Sequence, residues 1–362
     1  MSKQLRQFNP DWYVPPGSTI SDLLEEFGWT QAELANRTGF SRKHVNQLIK
    51  GIAPINQETA LKLERVLGST VEFWLKREAQ YREALTRIEE KKVLAKDLKW
   101  LKELPIAEMI NLNWINSCKD KTQQIAECLR FFGVGSVSLW REKWECDLAA
   151  YRSKTIDKKP KGPIAAWIRQ CERLASLCDV PSYDEEKFRK ILKEARKLTE
   201  QENSEIFIPE LKKLCKLSGV TLITLKGLKN CPISGATRWL NSDKPLLMLS
   251  DRYKSNDQFW FTFFHEAAHL LFHAKKILFI DTDGQLDSQD EKKANEYASN
   301  FLIPLQNWKQ ILGLSINEKL IKELAKQLGI SPAILLGRLQ RERLIPWETY
   351  LNKFKTKVNF SD

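Results

Sequence analysis

The stretch "FWFTFFHEAAHLLFHAKK", Phe259 to Lys276, constrains the fold of this chain more than any other. It is apolar on nearly every side, so a helix built from it must be buried. Yet it carries three of the four histidines in the sequence, His265, His269 and His273, together with Glu266. Residues four apart on an α-helix share a face, so His265 and His269 project side by side and can hold one ion. Glu266 lies one position on, close enough to meet water at the metal without binding the metal. Two neutral imidazoles suit Zn²⁺, which activates water, and Glu266 would take the proton as the water attacks a peptide carbonyl. The competing reading is a core helix whose histidines are only hydrogen-bonded. A zinc site also needs a third protein ligand. The following helical segment "DEKKANEYA" carries Glu291, with Asn295 four residues later on the same face. Glu291 is placed to be the third ligand, and Asn295 to fix the outer nitrogen of a ligand histidine. His273, on the face of His269, and Asp290 are the alternatives to Glu291.

The remainder of the chain has room for more than this site. With 362 residues it can form two or three domains, and 42% hydrophobic and 29% charged residues suit a soluble globular protein. A net charge of +12 favours polyanionic partners. No apolar run reaches the ~18 residues of a membrane span, and the N-terminus lacks the apolar region of a signal peptide. The seven cysteines are odd in number and scattered, without a CxxC pair, and read as reduced thiols. A cytoplasmic protein with no membrane partner is expected.

Residues 18–95 read as short helices with tight turns at Gly39 and Gly51, ending in a long helix with a solvated, mixed-charge second half. Residues 98–205 are again helical, interrupted by the basic loop "SKTIDKKPKGP" (153–163), the stretch most open to cleavage. The character then changes: "GVTLITL", "ISGATRWL" and "KPLLMLS" are short, β-rich and separated by turn residues, and predict a small sheet just before the histidine helix. "ISGATRWL" is a candidate edge strand for holding an extended peptide. A last helical block covers 315–345. The fold class expected is mainly α with a small α+β part. Its domains are 1–95, a helix-turn-helix bundle with a trailing helix, 96–205, a helical middle, and 206–362, the metal-binding domain with a C-terminal helical subdomain.

The segment "GWTQAELANRTGFSRKHVNQLIKG" (28–51) is the second strong signal. Thr30 caps one helix, with Glu33 completing a capping box, and Leu34 and Ala35 face inward. Gly39 allows a sharp turn, Ser41 caps the next helix, and Val45, Leu48 and Ile49 form its buried stripe. Arg42, Lys43, His44, Asn46, Gln47 and Lys50 are left outside. In a helix-turn-helix the second helix enters the major groove, where Arg reads guanine, Asn or Gln reads adenine, and Lys meets phosphate. An αα-hairpin with an ordinary basic face is the plainer reading. "LAKQLGIS" within 321–345 resembles a second helix-turn-helix opening, but the exposed residues of its second helix are few, which favours packing or a sensing role over a second DNA reader.

Two family resemblances bear on these motifs. "HEAAH" followed by "EKKANEYASNFLIP" resembles the ImmA/IrrE metallopeptidases, whose signature is an HExxH helix and an E-x-x-A-N-x-[FY]-A helix ending in L-[LIM]-P. That resemblance implies a zincin-like domain, Zn²⁺ as cofactor, Glu266 as catalytic base and Glu291, rather than His273, as the third ligand. Residues 8–85 resemble the Xre-type helix-turn-helix of the HigA antitoxin branch, which implies double-stranded operator DNA as partner and adds Gln31 and Ser41 to the DNA-contacting set. Together they imply a bacterial transcription regulator, dimeric on DNA, carrying a zinc-dependent endopeptidase that acts on a repressor, a cognate toxin or the chain itself. A regulator or antitoxin that uses the zincin-like domain without proteolysis, as a partner-binding or sensory module, is the alternative. A peptidase whose N-terminal helices only dimerise it is a third.

Overall fold

The computed structural model describes residues 13–149, 161–252, 254–272, 279–282 and 289–360. His273 and residues 153–160 of the basic stretch lie outside them, while Lys161, Gly162 and Pro163 already belong to a helix. The chain divides into two compact units, residues 1–96 and 97–362. The boundary expected near 205 falls inside the second.

The first unit consists of α1 (Pro16–Glu26), α2 (Gln31–Thr38), α3 (Arg42–Ile49), α4 (Gln57–Leu67) and α5 (Val71–Leu94). Their starts are set by side-chain caps: Thr30, Ser41, Asn56 and Thr70 each accept the backbone N–H three residues on. Glu33 does not return to the Thr30 N–H as a capping box requires; its carboxylate pairs with Arg37 at 2.6 Å, one turn along the exposed face. Gly39 ends α2 in the left-handed region, φ 73°, which lets α3 leave at a sharp angle. Ile20, Leu34, Val45, Leu48, Leu63 and Trp74 meet in one core. Ile49 is only half-buried at its edge.

The second unit opens with α6 (Ile106–Asn111), α7 (Lys121–Phe132), α8 (Val137–Ala149), α9 (Lys161–Ser176), α10 (Glu185–Lys197) and α11 (Ser204–Leu217). The three segments expected as strands follow as β1 (Thr221–Thr224), β2 (Ile233–Asn241) and β3 (Lys244–Leu249). Then come α12 (Asn256–Phe272), β4 (Phe279–Thr282), α13 (Gln289–Leu302), α14 (Leu305–Ile311), α15 (Glu318–Leu328) and α16 (Pro332–Arg341). The strand order is β1-β3-β2-β4, with β1 parallel to β3 and β2 antiparallel to both of its neighbours. "ISGATRWL" is therefore not an edge. A fourth strand, which the sequence reading lacked, pairs with β2 and takes the edge position.

Helix α12 is buried on all sides, as its composition demands: it packs on the sheet and against α13 and α16. Phe259, Trp260, Phe263 and Phe264 join Phe207 of α11, whose ring centroid lies 5.0 Å from that of Trp260. Truncating such a side chain removes contacts that cannot be recovered by collapse. Trp260→Ala is expected to lower the unfolding free energy of this unit by about 3–5 kcal/mol. Leu177→Ala, at a residue 83% exposed, should stay within about 0.5 kcal/mol of wild type. Urea unfolding of the full chain measures both, and equal midpoints for the two variants would contradict the packing described.

Candidate metal centre and helix-turn-helix face

One turn of α12 separates His265 from His269, and their Nε2 atoms stand 3.0 Å apart. The first turn of α13 brings in Glu291, whose Oε2 lies 3.1 Å from His265 Nε2 and whose Oε1 lies 3.3 Å from His269 Nε2. Relative exposures of 1%, 2% and 5% seal all three in the interior. Among the described residues this is the one group of three or more such donors that converges on a point. For a four-coordinate ion with ligands at about 2.0–2.1 Å, tetrahedral geometry puts neighbouring donors about 3.3–3.4 Å apart. The observed separations are of that size, so the donor set fits a small divalent transition ion in chemistry as well as spacing. Burial by itself pushes the Glu291 carboxyl up, but hydrogen bonds and charge from His265 and His269 outweigh it and bring it down to about 2. Glu291 is thus an anion, as a metal ligand must be. Asp290, the neighbouring carboxylate, is exposed.

Asn295 is half-buried, and its Oδ1 accepts a hydrogen bond from Arg341 of α16 at 3.3 Å. The Arg341 guanidinium lies 4.4 Å over the Phe261 ring, which stacks on the His265 imidazole at 6.2 Å. The hydrogen bond of Asn295 thus goes to Arg341 and not to the outer nitrogen of a ligand histidine, which the sequence reading expected.

Glu266 stands outside the ligand cluster and is fully buried. Its Oε2 accepts a hydrogen bond from the Thr237 hydroxyl of β2 at 2.5 Å; the Glu266 carbonyl, 3.2 Å from the same oxygen, is the alternative acceptor. Gly235, two residues earlier on that strand, makes room for the side chain. A Cβ there would sit 2.8 Å from Glu266 Cγ and Oε1, and 2.6 Å from Thr262 Cγ2. Gly235 and Thr237 were missed from sequence. Their signal is the "GAT" of "ISGATRWL", since period-two alternation puts both on one strand face.

In the first unit, the residues expected to meet DNA lie on or beside α3. Ser41, Arg42, Lys43 and Lys50 are exposed, while His44, Asn46 and Gln47 are half-buried. Ser41 Oγ is occupied as the cap of α3, accepting from the His44 N–H at 3.1 Å. His44 packs edge-on against Phe40, with centroids 4.9 Å apart. Gln31, exposed at the first turn of α2, accepts from Asn46 Nδ2 at 3.5 Å, so these two side chains bridge the turn. The echo at 321–345 has the same turn, with Gly329 left-handed and Ser331 capping, but α16 is embedded in the main core through Ile334, Leu335, Leu336 and Leu339.

Comparison with known families places both motifs. Residues 20–74 match the Helix-turn-helix family model, and residues 226–340 match that of the IrrE N-terminal-like domain, a peptidase family. The chain thus joins a segment that matches helix-turn-helix domains to one that matches the IrrE N-terminal-like domain. Two solved structures are similar to part of it: a HigA-family addiction module antidote protein from Coxiella burnetii, and an antidote protein of a plasmid maintenance system from Nostoc punctiforme. Each is 25% identical with a TM-score of 0.21, covering 23% of this chain and 91% and 93% of their own. No curated protein matches the chain.

The convergence of three donors predicts about one divalent transition-metal ion per chain. His269→Ala should weaken its retention by at least about a hundredfold, given that even outer-shell partners are worth 10- to 100-fold. Thr237→Val, which removes the hydroxyl that meets Glu266 and keeps the side-chain shape, should leave metal content unchanged. Metal analysis of the three proteins after dialysis decides, and full retention by His269→Ala would exclude this site.

Proposed function

We propose that this protein is a sequence-specific DNA-binding regulator whose second unit is a zinc-dependent endopeptidase. The observation that carries the reading is the buried His265–His269–Glu291 cluster beside a carboxylate held by its own strand, in a chain that also presents a helix-turn-helix. His265, His269 and Glu291 would hold Zn²⁺, with Asn295 beside them on α13 outside the donor set. Zn²⁺ bound there supplies Lewis-acid activation of water and of a peptide carbonyl. Glu266 is the base: its carboxylate lies one residue from a ligand on the same helix, fixed by Thr237 and by the space above Gly235. Fixing the base before substrate arrives removes the cost of ordering it during reaction.

On the DNA side, the α3 face carries the polar set suited to a major groove, with Arg42, Asn46 and Gln47 for base edges and Lys43 and Lys50 for phosphates. Gln31, Ser41 and His44 flank that face. One eight-residue recognition helix offers few base contacts, so a homodimer on a two-fold operator is the assembly we infer. The antitoxin-type motifs of residues 8–85 favour an operator at the protein's own promoter and a toxin or repressor as the protein partner, in a bacterial cytoplasm. Of the stretch 153–163, the part before α9 is the candidate for self-cleavage, since Gly162 and Pro163 are buried in that helix.

Two expectations separate the units. Glu266→Gln should keep the metal and abolish cleavage of protein partners, because only the base is lost. Identical chain length, partner integrity and promoter output for Glu266→Gln and wild type under DNA damage, starvation and toxin expression would leave a metal-holding interaction module instead. For DNA, Asn46→Ala or Gln47→Ala should relax sequence preference, costing about 1–3 kcal/mol at a contacted base pair. Lys50→Ala should weaken all sequences alike and reduce the salt slope. A full chain without salt-sensitive affinity for its promoter would overturn the regulator reading.

A further inference from the structure

The helical part of the second unit contains a cavity of about 370 Å³ between α7, α9 and the segment before α7. That volume is in the range of small-molecule sites. Three guanidiniums line it, those of Arg130, Arg169 and Arg173, against one carboxylate, Glu127, which pairs with Arg130. Neither the metal cluster nor the helix-turn-helix uses any of them.

Two of the arginines are held in place by backbone. Arg169 Nε donates to the Phe131 carbonyl at 3.0 Å, and Arg173 Nη1 donates to the Trp114 carbonyl at 3.2 Å. Trp114 and Phe131 stack, with centroids 6.2 Å apart and planes within 2°, and the Arg173 guanidinium lies 5.0 Å from the Phe131 ring centre. The wall under the charges is therefore a buried aromatic pair, not a mobile surface. Like charges gathered on such a wall repel one another, and an anion that receives several of their N–H donors relieves that repulsion. A guanidinium offers five donors in a planar fork matched to phosphate and carboxylate oxygens. Pinning the fork in advance removes most of the entropy cost of binding.

Besides Glu127, a second carboxylate already competes for this charge. Buried Glu172 accepts from Arg169 Nη1 at 3.0 Å through one oxygen and from Arg238 Nη1 at 2.7 Å through the other. Arg238 follows Thr237 on β2, so the carboxylate that shares Arg169 with the cavity also anchors the strand that holds Glu266.

We propose that this cavity binds a small phosphate-bearing anion through Arg130, Arg169 and Arg173, in competition with Glu172 for Arg169. The concave shape favours a small ligand over a DNA backbone, and the inference is independent of whether the second unit cleaves peptides.

Calorimetric titration of the full chain with inorganic phosphate, adenosine 5′-monophosphate and succinate tests it. Saturable binding of phosphate or the nucleotide is expected, and which binds more tightly tells whether free phosphate or a phosphate ester is the better occupant. The double variant Arg130→Met with Arg173→Met, at two exposed positions, should weaken binding at least tenfold, and Lys at both positions should restore part of it. Lys213→Met, exposed on α11, should bind as wild type. Glu172→Gln should tighten binding severalfold by releasing Arg169, a gain that misfolding cannot imitate. Four results would overturn the proposal: no saturation by either phosphate compound, equal affinity for succinate, unchanged affinity in the double variant, or weaker binding in Glu172→Gln. Promoter DNA affinity falling in the double variant as much as anion affinity would assign these arginines to a nucleic-acid surface instead.

Discussion

Two carboxylates and two imidazoles buried in an otherwise apolar helix environment set the terms for the whole second unit. An isolated ionised carboxylate moved out of water costs several kcal/mol even after relaxation, so each must be compensated locally. Glu291 is compensated by the two histidines that meet its oxygens. The Glu266 carboxylate accepts from Thr237. Neither arrangement survives a shift of an ångström, so α13 and β2 must be held against α12 by packing that is itself stiff. The aromatic cluster of Phe207, Phe259, Trp260, Phe263 and Phe264 provides that stiffness, since close-packed rings leave little room for sliding. The core is thus the framework that keeps the polar site affordable.

Strand β2 is where the unit's parts meet. Gly235 and Thr237 face α12 and define the position of Glu266, while Arg238, the next residue, pairs with Glu172 of α9. Because successive strand residues point to opposite faces, one short segment serves the metal helix on one side and the helical middle on the other. This is a physical reason for residues 97–362 to form a single compact unit although their sequence changes character near 205. Glu172 is 8% exposed and shared by two arginines. Neutralising such a carboxylate would leave two half-buried guanidiniums, Arg169 and Arg238, without their shared anion.

Much of this was legible in sequence wherever the pattern was local. The helix over Phe259–Phe272, the three strands before it and the caps at Thr30 and Ser41 follow from periodicity and turn chemistry, which act over a few residues. The spacing of His265 and His269 within one helix is equally local. What the sequence did not disclose depends on long-range pairing. Strand β4 exists because β2 offers it an unpaired edge, and that edge is set by register, not by composition. Thr237 and Gly235 matter only because β2 lies across α12, a crossing no local pattern encodes. Glu33 pairs with Arg37 instead of closing the cap, because an i, i+4 ion pair on the exposed face offers the same carboxylate a second local partner.

The two helix–glycine–serine–helix segments show where local legibility stops. Gly39 and Gly329 both adopt the left-handed region, and Ser41 and Ser331 both cap the helix that follows. The backbone chemistry of the two turns is therefore the same. Their second helices differ in what they bury. On α3, only Val45 and Leu48 are buried, and the basic and amide side chains remain on the outside or half-covered. On α16, Ala333, Ile334, Leu335, Leu336 and Leu339 are buried, together with Gln340, whose amide donates to backbone carbonyls of Pro346 and Trp347. A helix that commits these five apolar residues to a core has little groove-reading surface left, whatever the turn before it. The turn fixes an angle between two helices, and the composition of the second helix decides whether that angle serves DNA or packing.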